Sequence, residues 1–325
     1  MDQPLVTVRD LRLQFRTYAG IVHALNGIDL EIHEQDMLGL VGETGCGKSM
    51  TGVCILGLVP RGGEIVSGSI VFRGEELLGK PESYMQTIRG AKIAMIFQDP
   101  SSSLNPLFTI GQQLETVMRR HQRADKSQMR DRALELLKVV ELPDPARILK
   151  TYPHELSGGM KQRASIAIAL SCGADLLIAD EPTTDLDVTV QAQILDLLRR
   201  LRETQGVAIL MITHDLAVVA ETCRRVAVLY AGQVVESGPV DEVLFEAKHP
   251  YTRALLEASP KRSSRGRPLQ AIPGTVPSGL QPLEGCAFSP RCPHAMEICG
   301  QAPPRISVAP SHTVYCFLYA DSEKR

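Results

Sequence analysis

A chain of 325 residues, 44% hydrophobic and 22% charged, has globular composition and enough length for one large domain or two ordinary ones. Its 35 basic and 37 acidic residues leave a formal charge of −2, so no basic field exists to hold nucleic acid non-specifically, and no nucleic-acid partner is expected. The longest apolar runs, such as 207–212, fall far short of the roughly 18 residues of a membrane span, and Met1-Asp2-Gln3-Pro4 begins no signal peptide, so neither secretion nor membrane insertion is expected.

Trp is absent and aromatics make up 4%, which leaves the core to Leu, Ile, Val and Ala and suits a helix-covered parallel sheet. From the start, Val6, Val8, Leu11, Leu13 and Phe15 alternate with polar neighbours, as do Ile28, Leu30 and Ile32. Gly20, between the two runs, can turn the chain. A short apolar strand at 37–41 enters a glycine-rich loop, and a helical segment follows with Met50, Val53 and Cys54 on one face. Residues 69–72 and 93–97 read as strands. From about 101 to 172 the pattern is helical, and Met129, Ala133, Leu136, Leu137 and Val140 form one apolar stripe. Strands at 176–179 and 207–212 enclose a helix with Val190, Ile194, Leu197, Leu198 and Leu201 on one face, a βαβ unit. Residues 226–230 and 233–236 predict a hairpin across Ala231-Gly232. After Ala258 come a basic stretch, Lys261 to Arg267, and a segment rich in Pro and Gly at 273–310. The boundary is expected near 258–268, with one domain over 1–258 and a linker plus a small Cys-rich domain over 259–325.

Gly42-Glu43-Thr44-Gly45-Cys46-Gly47-Lys48-Ser49 fits G-x-x-x-x-G-K-[ST], with a strand before it and a helix, from Met50 on, after it. Glycines let backbone N–H groups turn inward on a phosphate, and the helix presents its positive end to the same anion. Lys48 is placed to reach the β- and γ-phosphates and Ser49 to ligate Mg²⁺. Cys46 reads as a small loop residue rather than a nucleophile. Leu176-Leu177-Ile178-Ala179-Asp180-Glu181 delivers two carboxylates at the end of a buried strand, where open α/β sheets bind ligands. Asp180 can hold Mg²⁺, and Glu181 can act as general base or polarise the attacking water. His214, at the end of the next buried strand, can hydrogen-bond the γ-phosphate.

Leu156-Ser157-Gly158-Gly159-Met160-Lys161-Gln162-Arg163 is the most specific feature. Ser157 is a good N-cap, and the bare glycine amides behind it form a second anion site. With the phosphate loop, the acidic pair and His214 in this order, the chain resembles the nucleotide-binding subunits of ABC transporters. That resemblance implies an α/β P-loop ATPase fold with a mixed central sheet, an N-terminal antiparallel β subdomain and a helical subdomain at about 101–172. It implies ATP and Mg²⁺ held at residues 42–50 and Asp180, with Ser157, Gly158, Gly159 and Met160 of a partner subunit capping the same nucleotide. Phe15 resembles the aromatic that stacks on adenine. Gln98 resembles the glutamine that senses Mg²⁺ and the attacking water, and Thr184-Asp185-Leu186-Asp187 the loop that crosses the dimer interface. Two departures stand out: Met160 replaces the usual Gln, and Asp185 stands where a small residue is common.

The stretches 97–106, Tyr152-Pro153-His154-Glu155-Leu156 and His249-Pro250-Tyr251-Thr252 resemble the dipeptide/oligopeptide and nickel importer group. The tail, Gly285 to Pro293 with Cys299 and Cys316, is similar to the C-terminal extension of the peptide-importer subunits of D type. This implies a peripheral ATPase on the cytoplasmic face of the cell (inner) membrane, a second related ATPase subunit, two transmembrane permeases and an extracytoplasmic peptide-binding protein. The alternatives are a nickel or other small-solute importer, a soluble ABC ATPase with a role outside transport, and a scaffold for iron–sulfur transfer.

Of eight cysteines, Cys46, Cys54, Cys172 and Cys223 are scattered, while Cys286, Cys292, Cys299 and Cys316 crowd the last 40 residues. Without a secretion signal that cluster reads as metal before disulfide. Four thiolates can hold Zn²⁺ or an iron–sulfur cluster. The spacing C-x5-C-x6-C-x16-C is wider than the pairs that structural zinc favours and fits the larger [4Fe–4S] cube, which some members of the family carry, with Zn²⁺ as the alternative. Its expected role is to staple a segment with little core of its own. His294 and His312 are candidate substitute ligands but are read as surface residues.

Overall fold

The computed structural model describes residues 3–121, 125–259 and 272–324. The basic stretch at 261–267 lies outside the described residues. The chain divides into two compact units, Met1–His33, Met37–Leu78 and Thr213–Arg325 in one, Glu34–Asp36 and Gly79–Ile212 in the other.

In the first unit, Val6–Thr17 and Gly20–Ile32 pair antiparallel, and Thr17 faces Gly20 across a two-residue turn. Gly63–Phe72 pairs on the other edge of Val6–Thr17, so the strand expected at 69–72 begins earlier. The alternation has its physical outcome here: Val6, Val8, Leu11, Leu13, Ile28 and Ile32 are buried. Met37–Val41 is buried at all five residues and runs parallel to Arg225–Tyr230, as a strand covered on both faces must be. Arg225–Tyr230 and Gln233–Pro239 form the expected hairpin. Ala231 and Gly232 both adopt positive φ, 46° and 75°, the twist a two-residue hairpin needs.

Two further strands extend this set: His312–Tyr315 pairs antiparallel with Gln233–Pro239, and Arg305–Ala309 pairs antiparallel with His312–Tyr315. Sequence alternation is short there, and the sequence predicted neither of them. His312 is not a surface residue. It is 2% exposed, with Nε2 at 2.8 Å from Glu236 and Nδ1 at 3.4 Å from Glu242. Glu236 is fully buried and accepts the backbone N–H groups of Lys248 and His249 at 2.7 and 3.0 Å. A buried carboxylate survives only when its lone pairs are filled, and this one is filled by three donors from two segments, 248–249 and His312.

The second unit holds a parallel set in the order Ala208–Thr213, Leu176–Asp180, Ile93–Ile96. Helix Val188–Gln205 is the crossover between the first two; Asp187 caps its start by accepting from Thr189 and Val190, and Gly206 ends it at φ 69°. Its buried face is Ile194, Leu195, Leu197, Leu198 and Leu201, with Leu195 added to the expected stripe and Val190 half-buried. Helices Ile110–His121, Lys126–Val139 and Gly158–Ala169 fill the stretch expected to be helical. Buried Arg163 of the last ties it to the end of Lys126–Val139 and to helix Val188–Gln205, donating to the Val140 carbonyl at 2.8 Å, Glu141 at 3.0 Å and Gln193 at 3.3 Å. One face was misassigned: in helix Lys48–Ile55 the buried side is Lys48, Thr51, Gly52, Cys54 and Ile55, while Met50 and Val53 are only half-buried.

Glu236→Ala removes the acceptor of three buried donors. Stability should fall by about 3 kcal/mol, the loss typical of breaking a buried charged network from one side. Thermal and urea unfolding check the loss, and limited proteolysis of the 305–315 hairpin should locate it.

Candidate functional site

The phosphate loop joins the buried strand Met37–Val41 to helix Lys48–Ile55. Two of its glycines, Gly42 and Gly47, are required by close packing. A side chain at Gly42 would put its Cβ 2.1 Å from the Leu229 carbonyl oxygen, and one at Gly47 would sit 2.7 Å from Leu25. Lys48 is buried and folds back on the loop, donating to the carbonyls of Gly42 at 2.8 Å and Glu43 at 3.1 Å. An ammonium held by carbonyls keeps its charge within the loop, available to an incoming anion. Thr44 and Gly45 are exposed, and Ser49 and Met50 are half-buried on the first helical turn. Cys46 is fully buried, and burial raises its thiol pKa, so it is a packing residue.

Glu43 carries contacts that no motif announces. Its N–H donates to the Tyr251 hydroxyl at 2.9 Å, and its carboxylate accepts from both Nη atoms of Arg291, at 2.8 and 3.1 Å. Tyr230, Tyr251 and Phe288 pack beneath with ring centroids 4.6 to 5.3 Å apart. Tyr230, Tyr251 and Arg291 were not singled out from sequence. Arg291 lies 248 residues from Glu43, and no spacing rule connects them. In the same unit Phe15 is half-buried, its ring covering Gly63, where a Cβ would lie 2.8 Å from Phe15 Cε1. His214 is exposed just past strand Ala208–Thr213.

In the other unit, Leu176–Asp180 delivers Asp180, 6% exposed, at its end. Glu181 follows with φ 45°, in the left-handed region that most residues avoid. Its N–H donates to the Ile212 carbonyl at 2.8 Å, while its carboxylate accepts from Gln98 Nε2 at 3.2 Å and the Thr184 hydroxyl at 2.9 Å. Gln98 and Glu181, predicted from motifs 83 residues apart, thus meet directly. Such strain in a non-glycine residue collects at functional sites.

Ser157 caps helix Gly158–Ala169 by accepting from Met160 N at 3.4 Å, and Ser157 and Gly158 are exposed. Gly159 must be glycine, because a Cβ there would meet Val190 at 2.5 Å. Asp185 sits at φ 67°, a conformation that Asp tolerates better than most residues.

Cys286, Cys292, Cys299 and Cys316 line one cavity with His249, Phe288 and Met296, and all four are free thiols. Burial raises the pKa of Cys286, Cys292 and Cys316, and neighbouring cysteines raise them further. His249 is kept neutral, its pKa lowered to about 4 by burial; Nδ1 accepts the Tyr251 N–H at 3.1 Å and Nε2 has no partner. The expected metal centre is not borne out: among the described residues no group of three or more His, Cys, Asp or Glu side chains is placed to hold a metal ion. Four thiols around one apolar cavity are a donor set that zinc and iron–sulfur groups both use.

Residues 25–184 match the ABC transporter family, and 235–299 match the C-terminal region of oligopeptide/dipeptide transporters. The chain is 48% identical over 316 residues to the probable peptide ABC transporter ATP-binding protein of Sinorhizobium fredii, covering 96% of this chain and 94% of that one. It is 46% identical over 313 residues to the oligopeptide transport ATP-binding protein of Salmonella typhimurium, covering 96% and 93%. Among solved structures, the dimeric post-hydrolysis state of an ATP-binding cassette bound to ADP and Pi aligns with a TM-score of 0.65 and 29% identity, over 72% of this chain and 98% of that one.

Gly42→Ala tests the loop packing. The new methyl group cannot fit against Leu229, so the loop must shift; affinity for a fluorescent ATP analogue should fall by at least about tenfold, a change of about 1.4 kcal/mol.

Proposed function

The chain belongs to the ATP-binding subunits of the oligopeptide/dipeptide ABC transporters and hydrolyses ATP, and we propose that this hydrolysis drives uptake of small peptides through a membrane importer. The chain pairs with a second, related ATPase subunit and docks on two permeases at the cytoplasmic face of the membrane, with an external binding protein delivering peptide. No helix of the described residues is long and apolar enough to cross a membrane, so the proposed association is peripheral. Within the chain, residues 1–258 form the cassette and 259–325 the Cys-rich extension.

ATP is clasped by the phosphate loop of one subunit and capped by the Ser157-Gly158-Gly159 helix start of its partner. Lys48 leaves the loop carbonyls to bind the β- and γ-phosphates, loop amides cradle the anion, and Phe15 stacks on the adenine. Ser49, Asp180 and Gln98 would hold Mg²⁺, which would supply charge neutralisation on the phosphates. Glu181 accepts a proton from, or polarises, the attacking water, and His214 hydrogen-bonds the γ-phosphate. The interface loop 184–187 lets one subunit read its partner's nucleotide state. Closure on ATP and release on hydrolysis then form an order switch driven by one phosphate.

The observation that carries this reading is Glu181, held in a strained backbone conformation with its carboxylate fixed by Gln98 and Thr184. Glu181→Gln keeps the shape and removes the base. ATP turnover should fall at least about 100-fold while ATP stays bound and the dimer stays closed. Normal turnover in a phosphate-release assay would contradict the role.

For the tail, Cys286, Cys292, Cys299 and Cys316 would hold a [4Fe–4S] cluster, which would supply folding free energy to a segment with little core. Support comes from four free thiols on one cavity. Cys292→Ser should lower iron and acid-labile sulfide together while the cassette still binds ATP. Equal iron in variant and parent would refute the cluster, and zinc in its place would restore the alternative.

A further inference from the structure

The guanidinium of Arg291 spends all five of its N–H groups. Nε donates to the Pro273 carbonyl at 2.7 Å, Nη1 to Glu43 at 2.8 Å and the Tyr230 hydroxyl at 3.2 Å, and Nη2 to Glu43 at 3.1 Å and the Ile272 carbonyl at 3.3 Å. Its side chain is 5% exposed and lies 5.7 Å from the Tyr230 ring centroid. The hydrogen bonds to Glu43 hold its pKa above the ordinary arginine value, so it is always charged. Glu43 is equally committed. Its N–H is taken by Tyr251, its carbonyl by Lys48 and its carboxylate by Arg291.

We propose that Arg291 of the cysteine-rich tail is a positioning residue for the phosphate loop, and that through Glu43 the tail sets the affinity for ATP. A carboxylate inside a loop built to receive a triphosphate opposes the ligand by charge. The bidentate pair cancels that charge and fixes the second residue of the loop, on which the Lys48 ammonium also rests. Arg291 adjoins Cys292, so the fold of the cysteine-lined cavity and the geometry of the loop are held by neighbouring residues. The proposal rests on the reading of residues 42–49 as the triphosphate site.

Arg291→Met, Lys48→Ala and the double variant Arg291→Met/Glu43→Gln are compared in the full chain, with partner subunits present where turnover is read. Arg291→Met should raise the KM for ATP about tenfold with kcat within twofold, and the defect should shrink at high salt. Adding Glu43→Gln should bring KM back to within about threefold of the parent, because the uncompensated charge is gone. A lost hydrogen bond with a purely structural role would show neither the rescue nor the salt response. Should Arg291→Met open the four tail thiols to rapid labelling, Arg291→Lys carries the test: it keeps the cation and loses the fork, and KM should rise about threefold. An unchanged KM in the Arg291 variants, or no rescue by Glu43→Gln, overturns the proposal while a weakened Lys48→Ala leaves the triphosphate site standing. Unchanged ATP affinity in Lys48→Ala overturns both.

Discussion

A short turn of backbone has to stay open to an anion while everything around it is packed solid, and the first unit is built to meet that constraint. Gly42 passes so near the Leu229 carbonyl that no side chain fits, and Gly47 is pressed against Leu25 and Ala24. The strand that feeds the turn is buried along its whole length, and so is almost all of its neighbour Arg225–Tyr230. With both walls packed, the path of the turn is fixed, and the Glu43 and Cys46 amides are held by the Tyr251 hydroxyl and the Glu43 carbonyl. This is the preorganisation that makes an anion site out of ordinary peptide groups. Lys48 completes it: its ammonium lies on the carbonyls of the loop, so its charge waits inside the site and not in solvent.

The second unit solves a different problem, that of aiming a carboxylate. Strand Leu176–Asp180 brings two acids to its end, but side chains on a regular strand alternate faces. The left-handed backbone at Glu181 breaks that alternation and turns the second acid out of register with the first. The cost, about 1–2 kcal/mol for a residue with a Cβ, is offset by the amide bond to Ile212 and the two contacts on the carboxylate. Gln98 reaches Glu181 from the end of a separate strand, so movement of the helices that follow residue 98 has a direct route to the acid.

Much of both arrangements was legible in the sequence, for local reasons. Continuous apolar runs marked the buried strands, the 3.6-residue stripes marked helices, and the glycines of the phosphate loop carried their own packing requirement. Legibility failed where contact depends on distant partners. The C-terminal strands are too short and too broken by Pro and polar residues for alternation to announce them, yet they form because Gln233–Pro239 offers an edge and buried Glu236 takes His312. His312 looked like a solvent residue because nothing nearby in sequence pairs with it. Metal geometry was equally out of reach: spacing told how many thiols cluster, and only the fold told that they line one cavity with no metal-holding group among the described residues.

The tail shows why a second element should be attached to a nucleotide loop at all. Buried ion pairs are poor sources of stability, since desolvation consumes much of their attraction, and an apolar pair at Glu43 and Arg291 could pack as well. What the pair provides that apolar residues cannot is charge balance beside a phosphate site, together with a fixed position for the loop residue whose carbonyl supports Lys48. Phe288 anchors this contact by entering the cluster of Tyr230 and Tyr251, and Tyr251 in turn holds the Glu43 amide. Aromatic packing therefore sets where the tail docks and the guanidinium sets what docking does to the loop. The cysteine-lined cavity lies directly behind both, with Phe288 as a shared wall, so the state of the thiols and the shape of the phosphate loop meet in a single side chain.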